Sequence, residues 1–165
     1  MADIVASSDR DALQLTFVAE FDSPPERVWQ LWSDPRQLER WWGPPTFPAV
    51  FTELDLAPGG RAAYAMTSPE GEKFPGWWRI TSVDAPTDLS LDDGFADENG
   101  EPVADGPVSH LTVLLESLEV GDDLGTRMTL TTTFDSPEQM DELVEMGMLD
   151  GMKLAMGQIE GILAG

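Results

Sequence analysis

Residues 23–45 constrain the fold of this chain more than any other segment. They contain four of the six tryptophans and five of the 13 prolines. Pro24 suits the first turn of a short helix, Asp34–Pro35 ends that helix, and a second short turn of helix then carries Trp41 and Trp42. Helices this short cannot bury indole rings by themselves. They must therefore pack against another layer of structure.

Local signals indicate where these two helices begin and end. Ser23 and Glu26 have the spacing of a capping box. Residues 28–32 then place apolar side chains at helical spacing. Gly43–Pro44–Pro45 ends the second helix, because proline cannot continue a helical turn.

The rest of the chain alternates between apolar and polar side chains, which predicts strands of a curved antiparallel sheet. The clearest example runs from Leu13 to Phe21. Pro58–Gly59–Gly60 has the composition of a tight turn between two strands. Six or seven strands are predicted, at about residues 13–21, 47–56, 61–67, 77–83, 89–95, 111–116 and 128–134, with the weakest alternation at 89–95.

The last element is predicted to be one long helix, from a capping box at Ser136–Gln139 to Ala164. Gly147 and Gly151 lie one turn apart within it. Because each costs about 0.5–1 kcal/mol in a helix interior, the pair indicates close approach to the sheet or to a bound molecule. The order of elements predicts an α+β fold in a single domain, residues 1–165, with a disordered tail at 1–11, two short helices after the first strand and a long helix across the sheet.

The charge of the chain excludes several classes of partner. It has 31 acidic and 9 basic residues, a net charge of −22. Nucleic acids and anionic membranes should be repelled, so neither is an expected partner. The acidic residues are read as a solvated surface, and a docking patch for a basic protein and adaptation to high salt remain alternatives. With no cysteine and no apolar run long enough to span a bilayer, the protein is expected to be cytoplasmic.

Motifs for catalysis, metals and cofactors are scarce. His110 is the single histidine, and its strand neighbours place it on the more polar face of the sheet. Pro58–Gly59–Gly60 lacks the lysine and the following helix of a phosphate loop. The sequence therefore predicts no catalytic residue, no metal and no cofactor, and the chain is more readily a binding protein than an enzyme.

Several motifs resemble one protein family. The sequence is similar to the activator of heat-shock protein 90 ATPase homologues, in the START-like (SRPBCC) helix-grip superfamily. The resemblance runs from about Leu13 to Ala164 and rests on Val28–Trp29 with Trp32, Asp34–Pro35, Trp41–Pro44, Asp55–Gly60 and Gly147–Met152. Relatives often carry tryptophan where this chain has Met152, which implies a softer wall at that point.

The resemblance implies a groove between the sheet and the C-terminal helix. The residues expected to bind a ligand there are Trp41, Trp42, Tyr64, Met66, Trp77, Trp78, Phe95, Met128, Met148, Gly151 and Met152. Three functions fit: non-enzymatic binding of a small apolar or aromatic molecule, a co-chaperone-like module that contacts a chaperone or another ATPase, or an enzyme of the cyclase or aromatase kind. The first is preferred, because no acid–base pair stands at an evident pocket position.

Overall fold

An eight-stranded antiparallel sheet forms the body of the molecule. The computed structural model describes residues 4–104, 106–121 and 123–164. In chain order the strands are β1 (Val5–Asp9), β2 (Gln14–Phe21), β3 (Ala49–Leu54), β4 (Arg61–Thr67), β5 (Lys73–Asp84), β6 (Asp88–Phe95), β7 (Val108–Val120) and β8 (Asp123–Thr133). Their order across the sheet is β1-β2-β8-β7-β6-β5-β4-β3, so β3 and β1 are the two edges. The predicted α+β fold is confirmed, with slightly more strands than expected.

The N-terminal segment differs from the prediction of a disordered tail. Residues 5–9 form β1, which pairs along its whole length with β2, from Val5 opposite Val18 to Asp9 opposite Gln14. Its side chains are mostly exposed. The strand therefore forms through backbone pairing with the edge of β2, which a search for apolar alternation does not detect. Residues 1–3 lie outside the described part of the chain.

The two tryptophan-bearing helices follow β2 and cover one end of the sheet. They are α1 (Pro25–Ser33) and α2 (Pro35–Trp41). The expected capping box at Ser23 does not form, since Pro24 is the N-cap of α1 and has no side-chain cap. Asp34 caps α2 by accepting a hydrogen bond from the Arg36 backbone N–H at 3.0 Å.

The C-terminal region is three helices instead of the single long helix that was predicted. They are α3 (Pro137–Glu145), α4 (Met148–Met156) and α5 (Ile159–Ala164). Ser136 caps α3 as expected, with its hydroxyl accepting from the Gln139 N–H. Gly147 separates α3 from α4 because its backbone is left-handed, with φ of 95°. Side-chain periodicity continues through this break, which explains why the pattern alone predicts one helix.

Candidate functional site

A cavity lies between the inner face of the sheet and the helices α3 and α4. Its volume is about 270 Å³, and its surface is mainly apolar. The sheet contributes inward-facing residues of β4, β6 and β7, and Pro44 closes one side from the loop after α2. The cavity lies where the family resemblance implied a groove, between the sheet and the C-terminal helical region.

Seven of the eleven predicted site residues line this cavity, and four do not. Those that line it are Trp42, Tyr64, Met66, Phe95, Met148, Gly151 and Met152. Trp41, Trp78 and Met128 are instead fully buried in the core. Trp77 lies on the opposite face of the sheet, where its ring covers Gly94 and its indole N–H donates to the Phe95 carbonyl at 3.1 Å. These four residues can support the walls but cannot contact a molecule in the cavity.

The core beside the cavity is a cluster of aromatic rings. Trp32 and Trp41 lie edge to face with their ring centres 4.8 Å apart, and Trp42 and Trp78 do the same at 4.9 Å. The indole N–H of Trp41 donates to the Leu31 carbonyl at 3.0 Å. Trp42 belongs to both regions, because it packs in this cluster and also lines the cavity.

The polar part of the cavity is a hydrogen bond between Tyr64 and Asp93. The Tyr64 hydroxyl donates to Asp93 Oδ1 at 2.8 Å. The two residues lie on β4 and β6, so the tyrosine ring must cross β5, the strand between them. It crosses at Gly76, which is directly opposite Tyr64 in the ladder. A Cβ at position 76 would overlap the ring carbon Cζ, so only glycine leaves room for this contact.

The environment of this pair raises the pKa of both side chains. Burial raises the pKa of Asp93 to about 7, and the hydrogen bond from Tyr64 opposes part of that rise. Burial, and then the nearby Asp93 charge, raise the pKa of the Tyr64 hydroxyl well above its ordinary value. Tyr64 thus stays neutral as a donor, whereas Asp93 changes charge near neutral pH.

Two further polar groups stand beside Asp93. Ser109 is opposite it in the ladder between β6 and β7 and is also part of the cavity wall. The indole N–H of Trp78 lies near enough to the carboxyl to lower its pKa, yet it does not reach hydrogen-bond geometry. The Trp42 indole N–H is likewise buried without a partner.

The helical wall of the cavity consists of a glycine flanked by flexible methionine side chains. Gly151 has open space around its Cα, with Pro44 as the nearest neighbour to an added Cβ at 3.8 Å. Met148 and Met152 flank it on the same helix and are only half-buried. Unbranched methionine side chains can adjust to ligands of different shape, so this wall can adapt to its contents.

A family model described as Activator of Hsp90 ATPase homolog 1-like protein matches residues 22–164. The chain belongs to this family. The match begins at the end of β2 and includes every residue of the cavity described above.

Solved structures of similar proteins share the fold along almost the whole chain. A solution NMR structure from Arthrobacter aurescens is 51% identical, with a TM-score of 0.89, over 97% of this chain and 91% of that one. A crystal structure from Mycobacterium smegmatis is 44% identical, with a TM-score of 0.86, over 98% and 97%. A protein from Rhodobacter sphaeroides, at 23% identity and a TM-score of 0.77, covers 99% of both chains and shares the fold. No curated protein matches this chain.

Eight residues of the cavity wall are absent from the predicted ligand-binding residues, although the sequence singles out Gly147 for close approach to the sheet or to a bound molecule. They are Pro44, Asp93, Gly94, Pro107, Ser109, Leu143, Met146 and Gly147. A signal existed for Asp93, because it follows Leu89 and Leu91 at alternate positions of β6, and both of those leucines are buried. Its place within an acidic stretch favoured a solvated position instead. The structure thus supplies the titrating side chain that the sequence analysis did not find at the pocket.

His110, the single histidine, lies outside this cavity. Its Nδ1 is 2.6 Å from Asp92 Oδ1 and its Nε2 is 3.0 Å from Asp135 Oδ1; His110 and Asp135 are exposed and Asp92 is half-buried. The hydrogen bond to Asp92 is the main reason that its pKa is raised. Within the described residues no cluster of histidine and carboxylates is arranged to hold a metal ion, and no helix is long and apolar enough to cross a membrane.

Proposed function

We propose that this protein binds a small apolar or aromatic molecule in the cavity beneath α3 and α4, without transforming it. The observation that carries the proposal is the cavity itself, which stays open next to a core in which Trp32, Trp41 and Trp78 are fully buried. Its volume of about 270 Å³ lies just below the usual range for small-molecule sites, about 300–1,000 Å³. A ligand of one or two fused rings fits that size.

The composition of the wall supports the same class of ligand. Apolar contact is offered by Trp42, Phe95 and four methionines, Met66, Met146, Met148 and Met152. One polar group, the Tyr64–Asp93 pair, stands among them. A mainly apolar wall with a few polar groups is the usual design of a site that holds and orients a small molecule.

Contact with a protein partner is a second candidate function. The description of the family refers to the activation of an ATPase, Hsp90. The net charge of −22 would attract a partner with a basic surface. Such binding should weaken steeply with salt, whereas binding of an apolar molecule in the cavity should not. Salt dependence therefore distinguishes the two candidates.

Filling the cavity with a leucine tests the proposal. Fluorescence titration with 2-naphthol, an uncharged aromatic probe of two fused rings, should show saturable one-to-one binding to the native protein. Gly151→Leu should abolish it while the protein stays folded by circular dichroism, since the new side chain enters open space next to Pro44.

Gly161→Leu is the matched control. Gly161 is exposed on α5, with no atom near enough to contact an added Cβ, and it does not line the cavity. This variant should bind the probe as the native protein does. Unchanged binding in Gly151→Leu would contradict the proposal. So would unfolding of that variant, because the glycine would then serve helix packing in a groove that is closed.

A further inference from the structure

Asp93 is the one charged residue in the cavity wall. The wall includes no lysine, arginine or histidine among the described residues. Tyr64 donates to Oδ1, and this is the single hydrogen bond that the described residues make to the carboxyl. The bond fixes the orientation of the carboxyl and leaves Oδ2 for another donor.

A carboxylate in this position lacks the partner that buried charges normally have. A buried carboxylate is costly unless a cation or several donors compensate it. The protein offers only neutral donors, the Tyr64 hydroxyl and the nearby Trp78 indole N–H, and no charged side chain contributes to the shift in the pKa of Asp93. The negative charge of Asp93 is therefore uncompensated within the protein, and a positively charged ligand would compensate it.

The surroundings also favour a cation. Trp42, Tyr64 and Phe95 present aromatic rings to the same cavity, and aromatic faces attract ammonium groups at short range. Ser109 lies beside Asp93 and can accept a second N–H from an ammonium group. The net charge of −22 attracts cations and repels anions at longer distance.

We propose that the ligand of this cavity is an amine, a monocation with an apolar or aromatic body, whose ammonium group pairs with Asp93 while its body contacts the methionine and aromatic walls. This inference rests on the proposed function, since it names the chemical class of the molecule that the cavity binds. Anionic aromatic molecules are excluded by the same carboxylate.

Charge pairing gives the binding a definite pH dependence. The ammonium group of a primary alkyl amine stays protonated well above neutral pH, so the titration of Asp93 decides the affinity. Of the wall residues contributed by β4, β6, β7, α3 and α4, the only other one that titrates is Tyr64, which stays neutral. The two charges nearest on α4, Asp150 and Lys153, are outside the wall. Amine affinity should therefore fall about five- to tenfold between about pH 8 and about pH 6.

Two probes of nearly equal shape test the inference. They are 2-naphthylmethylamine, which is a cation, and 2-naphthylmethanol, which is neutral. Calorimetric titration of the native protein at about pH 8 should give an amine affinity about tenfold or more above that of the alcohol, as expected for a charge-assisted hydrogen bond. The preference should shrink as the pH is lowered towards 6.

Two asparagine variants separate local pairing from overall charge. Asp93→Asn should bind both probes with equal affinity at every pH. Asp92→Asn removes the same charge one residue away, where the side chain contacts His110 on the outer face of the sheet. This control should keep the tenfold preference for the amine.

The outcomes separate this inference from the proposed function. Equal binding of both probes to the native protein would overturn the amine proposal and leave the cavity function standing. A preference that survives in Asp93→Asn, or that rises as the pH falls, would also overturn it, because neither result can come from pairing of the ammonium group with an ionised Asp93. Absence of binding by either probe would overturn both.

Discussion

The inner face of the sheet has a closed end and an open end, and the same sheet builds both. At the closed end, α1 and α2 bury Trp32 and Trp41 with no exposed surface, and Trp32 packs against Trp78. At the open end, α3 and α4 leave a cavity of about 270 Å³ over Tyr64 and Asp93.

The difference between the two ends comes from the covering helices. Large rigid rings fill the first end, and each ring contacts several others. Glycines and half-buried methionines cover the second, and the break at Gly147 sets the direction of α4. The comparison indicates that stability is concentrated at one end of the sheet and leaves the other free to bind. Three predictions test this division.

The largest effect is expected in the ring cluster. Trp32→Ala should lower the free energy of unfolding by about 3–5 kcal/mol, since it removes a fully buried ring from contact with other indoles. Met152→Ala at the open end should cost about 1 kcal/mol or less, because that side chain is half-buried beside a cavity. Urea unfolding measures both. Similar losses would show that the two ends are equally packed.

A smaller effect is expected where Tyr64 crosses β5. Gly76→Ala should cost about 1–3 kcal/mol, because the new methyl group overlaps the ring. The displaced hydroxyl no longer donates to Asp93, so the pKa of that carboxyl should rise further, as carbon-13 NMR of the carboxyl can show. In a Tyr64→Ala background the same change should cost less than about 0.5 kcal/mol. An undiminished cost there would assign the effect to the backbone of β5.

The smallest expected effect comes from removing the Asp93 charge at the open end, which should stabilise the folded protein. The pKa of Asp93 is about 7 in the folded protein and about 4 in an unfolded chain. Below about pH 4 this group therefore does not affect the free energy of unfolding. As the pH rises towards and through 7, ionisation of Asp93 destabilises the folded protein. Asp93→Asn should raise stability by about 1 kcal/mol at about pH 8, or about 2–4 °C in Tm, and leave it unchanged near pH 4. A destabilised variant at pH 8 would mean that the carboxylate is well compensated.

The closed end of the molecule could be predicted from sequence because its signals are local. Trp32 and Trp42 are buried, as the short helices required. At the open end, the alternation of β4 likewise placed Tyr64 and Met66 on one face of the sheet. Side chains that follow the apolar periodicity can be assigned to the buried face from the sequence alone.

The open end was harder to predict because its features violate such patterns. Asp93 is a carboxylate at an inward position, and only the helices that cover it make it a buried group. The break in the last helix depends on the left-handed backbone of Gly147, which periodicity does not record. Trp78 and Met128 were assigned to the cavity, but both are fully buried in the hydrophobic core.

The crossing of Tyr64 over Gly76 also acts against errors of folding. If β5 slipped by one residue along β4, Pro75 or Trp77 would stand opposite Tyr64 in place of the glycine. A slip of that size also turns every side chain of a strand to the wrong face. A slip of two residues would put Phe74 or Trp78 beneath the ring. Only the native alignment lets the Tyr64 hydroxyl reach across to β6. Gly76 therefore helps to fix the register of β4, β5 and β6 as the sheet assembles.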